Sequence, residues 1–312
     1  MKAVLRRSST TNNNEEFFKI KLTCFNEEIS SSKKLEVILD QKGKKVKINT
    51  TLKRKISEFI SQYKVILFSP DELKIIKDSP STRRTYLNIE ISQIYKHYLK
   101  FLNDYNKLIK NKNEYLKKVY LNSNLDLNYM DILDIKLAST GKIISDYRKD
   151  YIEKINKYIP KIFNKFKEKD TLRIEYVSDF LNKSEDEIIK ILKKNRKKEM
   201  LQGMTSTGIH RDDFIFIHNE NNSKEYSSEG LQKLIVLSMK LSELNVLTKA
   251  FYEKPILLLD DLFSELDQNN QNKILKYLPN NIQIFITTTD LNNVDKKILT
   301  MSNIIELDEE VK

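Results

Sequence analysis

Ile256-Leu257-Leu258-Leu259-Asp260-Asp261, continuing into Leu262-Phe263-Ser264-Glu265-Leu266-Asp267, is the stretch that decides the fold class. Four apolar residues in a row read as a strand buried within a helix-covered parallel sheet. Two carboxylates stand at its carboxyl end, where ligands sit in open α/β folds. In a nucleotide-hydrolysing fold Asp260 would hold Mg2+, directly or through water, and Asp261 would orient or deprotonate the attacking water. The competing reading is an acidic turn that caps the following helix.

Strands and helices alternate around this stretch. Phe214–Ile217, Ile282–Thr287 and Ile304–Leu307 read as strands, and Glu229–Phe251, Asp267–Leu278 and Asn292–Thr300 as helices, Glu229–Phe251 as an amphipathic one. The alternation predicts a parallel sheet over residues 201–312. Residues 15–68 also read as strands: Phe17–Cys24, a hairpin of Leu35–Leu39 with Val46–Ile48 around Gly43, and Val65–Phe68 closed by Pro70. Between these β regions the apolar residues recur at helical spacing. Ser81 to about Lys118, Asp131–Phe166 and Ser184–Lys198 read as helices, the second broken or ended near Pro160 and the third opened by a Ser184/Glu187 capping box. A polar loop, Asn122–Asn128, joins the two long helices, which fits either an antiparallel arm or an ordinary bundle. The expectation is an α/β domain built from both ends of the chain, residues 1–70 and 201–312, with a helical lobe inserted at 71–200.

Composition narrows the function. The 312 residues carry a net charge of +11. The surplus lies in residues 1–200, whereas 201–312 are net acidic, so an anionic partner is expected for the basic part. A solvated lysine-rich surface gives the same count. Cys24 is the sole cysteine and the three histidines, His97, His210 and His218, are scattered, which excludes an intrachain disulfide and a Cys- or His-cluster metal site and fits a reducing cytoplasm. No apolar run is long enough to span a bilayer, and the first residues hold no signal-peptide core. Among the five glycines only Gly203 and Gly208 have the G-x-x-x-x-G spacing, and Ile209 stands where a phosphate loop needs lysine.

Three further segments carry polar chemistry. Ser227-Ser228-Glu229-Gly230-Leu231-Gln232-Lys233 opens a long helix with small residues and could receive a phosphate on free N–H groups, or simply N-cap through Ser228. Arg83 and Arg84 lie in the first turn of a helix, against its dipole, and require a carboxylate or phosphate partner; a salt bridge to the α/β part satisfies the same need. Gly208-Ile209-His210-Arg211-Asp212-Asp213 reads as a catalytic cluster or as a polar network joining lobe and head.

Taken in order, SPDELKIIKDSPSTRRTYL (69–87), TSTGIHRDDF (205–214), SSEGLQK (227–233), ILLLDDLFSELD (256–267) and ITTTD (286–290) resemble the RecF family of bacterial DNA replication and repair proteins, which belongs to the SMC/Rad50-like ABC ATPases. The resemblance covers nearly the whole chain. It implies an ABC-ATPase-like head with a helical lobe, ATP and Mg2+ as cofactors, an ATP-dependent homodimer, and binding of single-stranded or gapped DNA. It also implies RecR- and RecO-like partners, recombinase loading in recombinational repair and the SOS response, and a cytoplasmic site of action. By position, Asp260 matches the Walker B residue for Mg2+, Asp261 the catalytic carboxylate, Ser264–Asp267 the D-loop with Asp267 at the nucleotide, and Thr287–Thr289 the switch segment. Ser228, Gly230 and Gln232 match the signature that contacts the nucleotide of the other subunit. Arg83 and Arg84 are candidates for nucleic-acid contact.

The chain departs from the family pattern at Asp78 (Gly), Asn88 (Asp), Ile209 (Pro), Leu231 (Gln) and Lys233 (Arg). The family's phosphate loop has no counterpart here. Ser8–Asn12 resemble the segment that follows it, so the chain is expected to begin beyond that unit, and ATP hydrolysis is expected only where an N-terminal segment supplies the loop. The alternative is a protein that has lost hydrolysis and acts as a DNA- or partner-binding module.

Overall fold

The computed structural model describes residues 2–12, 15–26, 31–41, 43–53, 62–122, 126–251, 254–261, 268–278, 282–294 and 296–306. Its first half opens with a five-stranded antiparallel meander, β1 (Lys2–Asn12), β2 (Glu15–Asn26), β3 (Ser31–Asp40), β4 (Gly43–Ile48) and β5 (Thr51–Lys53), paired in chain order. The expected hairpin is β3–β4, with Asp40 opposite Gly43 and Gly43 at φ 112° in the turn.

β6 (Val65–Phe68) leaves the meander. It pairs in parallel with β10 (Ile256–Asp260), Val65 opposite Ile256, and β10 pairs in parallel with β11 (Gln283–Thr287). The parallel sheet is therefore built from both halves of the chain, as the sequence predicts. Ile66, Phe68, Leu257 and Leu259 are buried in it.

Between β6 and β10 stand a 3-10 turn (Pro70–Leu73) and the helices α1 (Lys74–Lys77), α2 (Pro80–Ile94), α3 (Tyr98–Asn122), α4 (Leu127–Asn156), α5 (Ile159–Phe166) and α6 (Glu185–Gln202), with β7 (Leu172–Val177) before α6. The helix expected from Ser81 to Lys118 is two. It breaks at Tyr95, which is extended, and restarts at Tyr98, whose fully buried ring sends its hydroxyl to Asn88 at 2.7 Å. The second long helix ends at Asn156, and Pro160 falls in the first turn of α5, where a missing N–H costs nothing. α6 opens with the expected capping box of Ser184 and Glu187. α3, α4 and α6 pack as a three-helix bundle, so α3 and α4 are not a bare two-helix arm.

Three expectations need correction. β7 lies inside the segment read as helical, and its Leu172, Ile174 and Tyr176 alternate inward with Arg173, Glu175 and Val177 outward. β8 (Asp213–His218) pairs antiparallel with β7 and with β9 (Asn221–Asn222), so it belongs to a third sheet and not to the parallel one. Residues 303–306 form no strand, and Leu307 lies outside the described residues. The chain closes with α7 (Ser223–Tyr226), α8 (Glu229–Ala250), α9 (Gln268–Tyr277), a 3-10 turn (Leu291–Asn293) and α10 (Lys296–Met301).

α8 also differs from its expected amphipathic character. From Leu234 to Leu244 it is buried on every side, packed between α4, α5 and β6. Its polar residues must then find partners inside. Lys240 reaches Glu72 at 2.8 Å and lies over the Tyr86 ring, and Glu243 accepts the Tyr151 hydroxyl at 2.6 Å.

Candidate nucleotide and interdomain sites

The parallel pairing of β10 with β11 sets Asp260 opposite Thr287. The Thr287 hydroxyl donates to Asp260 Oδ1 at 2.5 Å, and the Asp261 N–H donates to Thr287 O at 3.2 Å and to its Oγ1 at 3.1 Å. Asp261 stands at φ 48°, a left-handed turn that aspartate tolerates better than most side chains. Asp260 is exposed, and one of its carboxylate oxygens is held by Thr287. A single carboxylate at a strand end fits Mg2+, which takes one or two protein carboxylates and fills its shell with water and substrate phosphate. No group of three or more His, Cys, Asp or Glu among the described residues could hold a metal alone. The phosphate cradle is a different matter. No G-x-x-x-x-G-K-[ST] run occurs in the 312 residues, so no step of hydrolysis follows from them. Ser264–Asp267, Asp267 included, lie outside the described residues. Of the other switch candidates, Thr288 hydrogen-bonds Asp290 through its hydroxyl and Thr289 is exposed.

The signature residues open α8. Ser228 is its N-cap, accepting from the Leu231 N–H at 3.4 Å. A side chain at Gly230 would meet nothing within 4 Å. Gln232 does not face outward: it is buried, and its Nε2 donates to Ser227 O at 3.1 Å and Ser223 O at 3.4 Å. What the helix end offers to a partner is Ser228, Gly230 and backbone N–H groups. Gln232 acts through the loop whose carbonyls it holds.

Arg83 and Arg84 find their partners inside the chain. Arg83 grips Asp213 with two bonds, Nε–Oδ1 at 2.6 Å and Nη2–Oδ2 at 2.9 Å, and Nη1 donates to Ile75 O and Asp78 O. It is buried with every nitrogen engaged, so it is withdrawn from nucleic-acid contact. Arg84 Nη1 donates to Asp212 O at 2.8 Å, and burial together with the nearby Arg148 charge pulls its pKa below the usual arginine value.

The Gly208–Asp213 segment is the network, not a solvent-facing catalytic cluster. Arg148 of α4 lies at its centre, about 1% exposed. It donates to Asp212 Oδ2 and Ile209 O, both at 2.7 Å, to Tyr98 Oη at 3.2 Å and to Asn88 Oδ1 at 3.1 Å. Tyr176 of β7 also donates to Asp212 Oδ2. Gly208 takes φ 133°, and a Cβ there would collide with the Tyr105 hydroxyl. His210 is wedged between Tyr105 and Thr205 O, and burial lowers its pKa. The sequence offered no signal for Arg148, which is one of five basic residues in α4.

The departures from the family pattern fit this geometry. Asp78 has φ −79°, which any residue adopts. Asn88 supplies a neutral oxygen to Tyr98 and Arg148. Ile209 is buried and lends its carbonyl to Arg148.

A second buried cluster joins α8 to the lobe. Glu90 of α2 accepts from Gln93 Nε2 at 2.8 Å, and Gln93 Oε1 accepts the Val65 N–H of β6. Burial pushes the Glu90 carboxyl up to about 7, with Lys240 pulling it down and Glu72 pushing it up. Burial, reinforced by Glu72, raises Glu243 well above the carboxylate range.

No family model matches the chain. Curated relatives do. It is 36% identical over 283 residues to the DNA replication and repair protein RecF of Ligilactobacillus salivarius (strain UCC118), covering 88% of this chain and 75% of that protein. It is 34% identical over 313 residues to RecF of Latilactobacillus sakei subsp. sakei (strain 23K), covering 96% and 83%. Among solved structures, the recombination mediator protein RecF with ATP superposes with a TM-score of 0.80 at 32% identity, over 90% of this chain and 76% of that one. Sequence identity of this extent, over a shared head and lobe, means that the chain belongs to the RecF family of DNA replication and repair proteins.

Proposed function

We propose that this protein acts in DNA replication and repair within the RecFOR pathway. In this reading it binds single-stranded or gapped DNA in an ATP-dependent way, as a homodimer in the cytoplasm, and helps RecR- and RecO-like partners load recombinase during recombinational repair and the SOS response. Residues 1–70 and 201–312 form the head and 71–200 the lobe. Asp260 would hold Mg2+, with its Oδ1 fixed by Thr287. Asp261 would serve the attacking water, and Ser228 and Gly230 would meet the nucleotide of the second copy. ATP, when bound, supplies the phosphates that complete the Mg2+ shell.

The observation that carries this reading is the placement of an exposed Asp260 at the end of a parallel strand, in a chain similar to RecF–ATP. The test is fluorescence anisotropy with a labelled gapped duplex and the protein as its own cell makes it. ATP with Mg2+ tightens binding in the parent, and Asp260→Ala abolishes that response. A parent indifferent to ATP refutes the nucleotide-dependent part. The alternative reading is a binding module without hydrolysis. It predicts that Asp260→Ala leaves DNA and partner binding unchanged.

A further inference from the structure

The lysines of this chain are not all alike. On α3 and α4 the exposed Lys100, Lys117, Lys118 and Lys136, which have no such partner among the described residues, are interspersed with lysines that sit one helical turn from a carboxylate: Lys107 with Asp104, Lys110 with Glu114, Lys142 with Asp146 and Lys149 with Glu153. The paired lysines have the pattern of a solvated, charge-balanced face.

α6 is built differently. Its acidic residues are gathered at its ends: Glu185, Asp186 and Glu187 in the first turn, and Glu199 turned inward onto Lys112. The basic residues on its flank toward α4 are neutralised, the exposed Lys193 by Asp131 and the mostly buried Arg196 by Asp131 and Asp134. Lys190, Lys194 and Lys197 follow at helical spacing on the opposite face, with Lys198 beside them. All four are exposed, and none pairs with a carboxylate among the described residues.

Concentrating like charge on one face costs stability. A bound polyanion removes that cost. From Lys190 to Lys198 the rise is about 12 Å, the span of roughly three to four phosphates along one strand of a duplex. We infer that the outer face of α6, with Lys190, Lys194, Lys197 and Lys198, is where this protein grips the phosphate backbone of DNA. The contact is sequence-independent, since a row of lysine ammoniums acts as point charges matched to phosphate oxygens, and phosphate contacts carry no sequence information. The inference rests on the DNA-binding reading above and adds the surface that performs it.

The experiment measures binding to a labelled gapped duplex from 50 to 200 mM NaCl, with and without ATP and Mg2+. It compares the parent with K190Q/K194Q/K197Q/K198Q, and with K107Q/K110Q/K142Q/K149Q as a control of equal charge change. Each lost phosphate contact reduces the slope of log K against log salt by about 0.9. The α6 variant is expected to flatten the slope by about 3 and to weaken binding at low salt at least tenfold, while the control keeps the parent slope. If the two variants behave alike, the assignment to α6 is overturned and DNA binding stands. If the parent shows no salt-dependent binding, the DNA-binding reading fails and takes this surface with it.

Discussion

Arg148 and Asp212, sixty-four residues apart in the chain, meet at 2.7 Å with both side chains about 1% exposed. One belongs to the lobe helix α4 and the other to the turn before β8. Breaking a buried pair by removing one partner leaves an uncompensated charge and costs about 3–5 kcal/mol. Asp212→Asn should therefore lower stability by that order in chemical denaturation, with Tyr176 and Arg148 both losing their carboxylate acceptor. A loss below about 1 kcal/mol would show that the pair is solvated in solution.

Lys112 makes a second test inside the lobe. Its ammonium bridges Asp134 at 2.9 Å and Glu199 at 2.8 Å, and all three side chains are wholly buried. The bridge ties α3 to α4 and α6. Lys112→Met should destabilise the protein by about 3 kcal/mol or more, and the double variant Lys112→Met with Glu199→Gln should recover part of it. Thermal melts of the two variants decide the matter, and no recovery would mean that packing, not charge, holds the site.

The pH dependence has a definite sign. Glu90 has its folded pKa raised to about 7 from an ordinary 4.5, so between those values the folded chain binds a proton that the unfolded chain does not. Stability from this group rises as pH falls from 7 to 4.5, by up to about 3 kcal/mol. His210, depressed by burial, works in the opposite sense below pH 6.5. Glu90→Gln isolates the carboxyl. Its stability at pH 8 should match or exceed that of the parent, and its profile between pH 4.5 and 7 should lose the Glu90 slope. An unchanged profile would place the proton elsewhere, with Glu243 the next candidate.

Gly230 separates folding from association. A Cβ there meets open space, so Gly230→Ala should leave stability unchanged or raise it by up to about 1 kcal/mol. If ATP-dependent self-association, read by light scattering, nevertheless falls in this variant, then the glycine is kept for the close approach of a second copy. Intact self-association would remove that role.

Strands with a strong local pattern were legible from sequence: Val65–Phe68 and Ile256–Leu259 stand where their apolar runs place them, and Gly43 marks the hairpin turn. The carboxylate at the end of β10 was legible for the same reason, since a strand end is a local feature. β7 escaped because its alternation is short and lies in a lysine-rich stretch dominated by helical spacing. Arg83 shows the other limit. Its residue type and its place in a first turn announce the need for an anion, but the anion, Asp213, is 130 residues away. Gln232 is similar: the motif names it, and only packing shows that its amide is spent on Ser223 and Ser227.

The parallel pairing of Val65 with Ile256 carries a consequence for how the chain comes into being. A ribosome releases β6 before the lobe and delivers β10 only after it. Until then β6 lacks the strand it will pair with, and its backbone hydrogen bonds on that side are unspent. The lobe, rich in near-neighbour helical contacts, can mature in the meantime, and closing so distant a contact is intrinsically slow. Assembly of the head is thus a late event in biosynthesis, and the helices folded in between set how far β6 and β10 must search for each other.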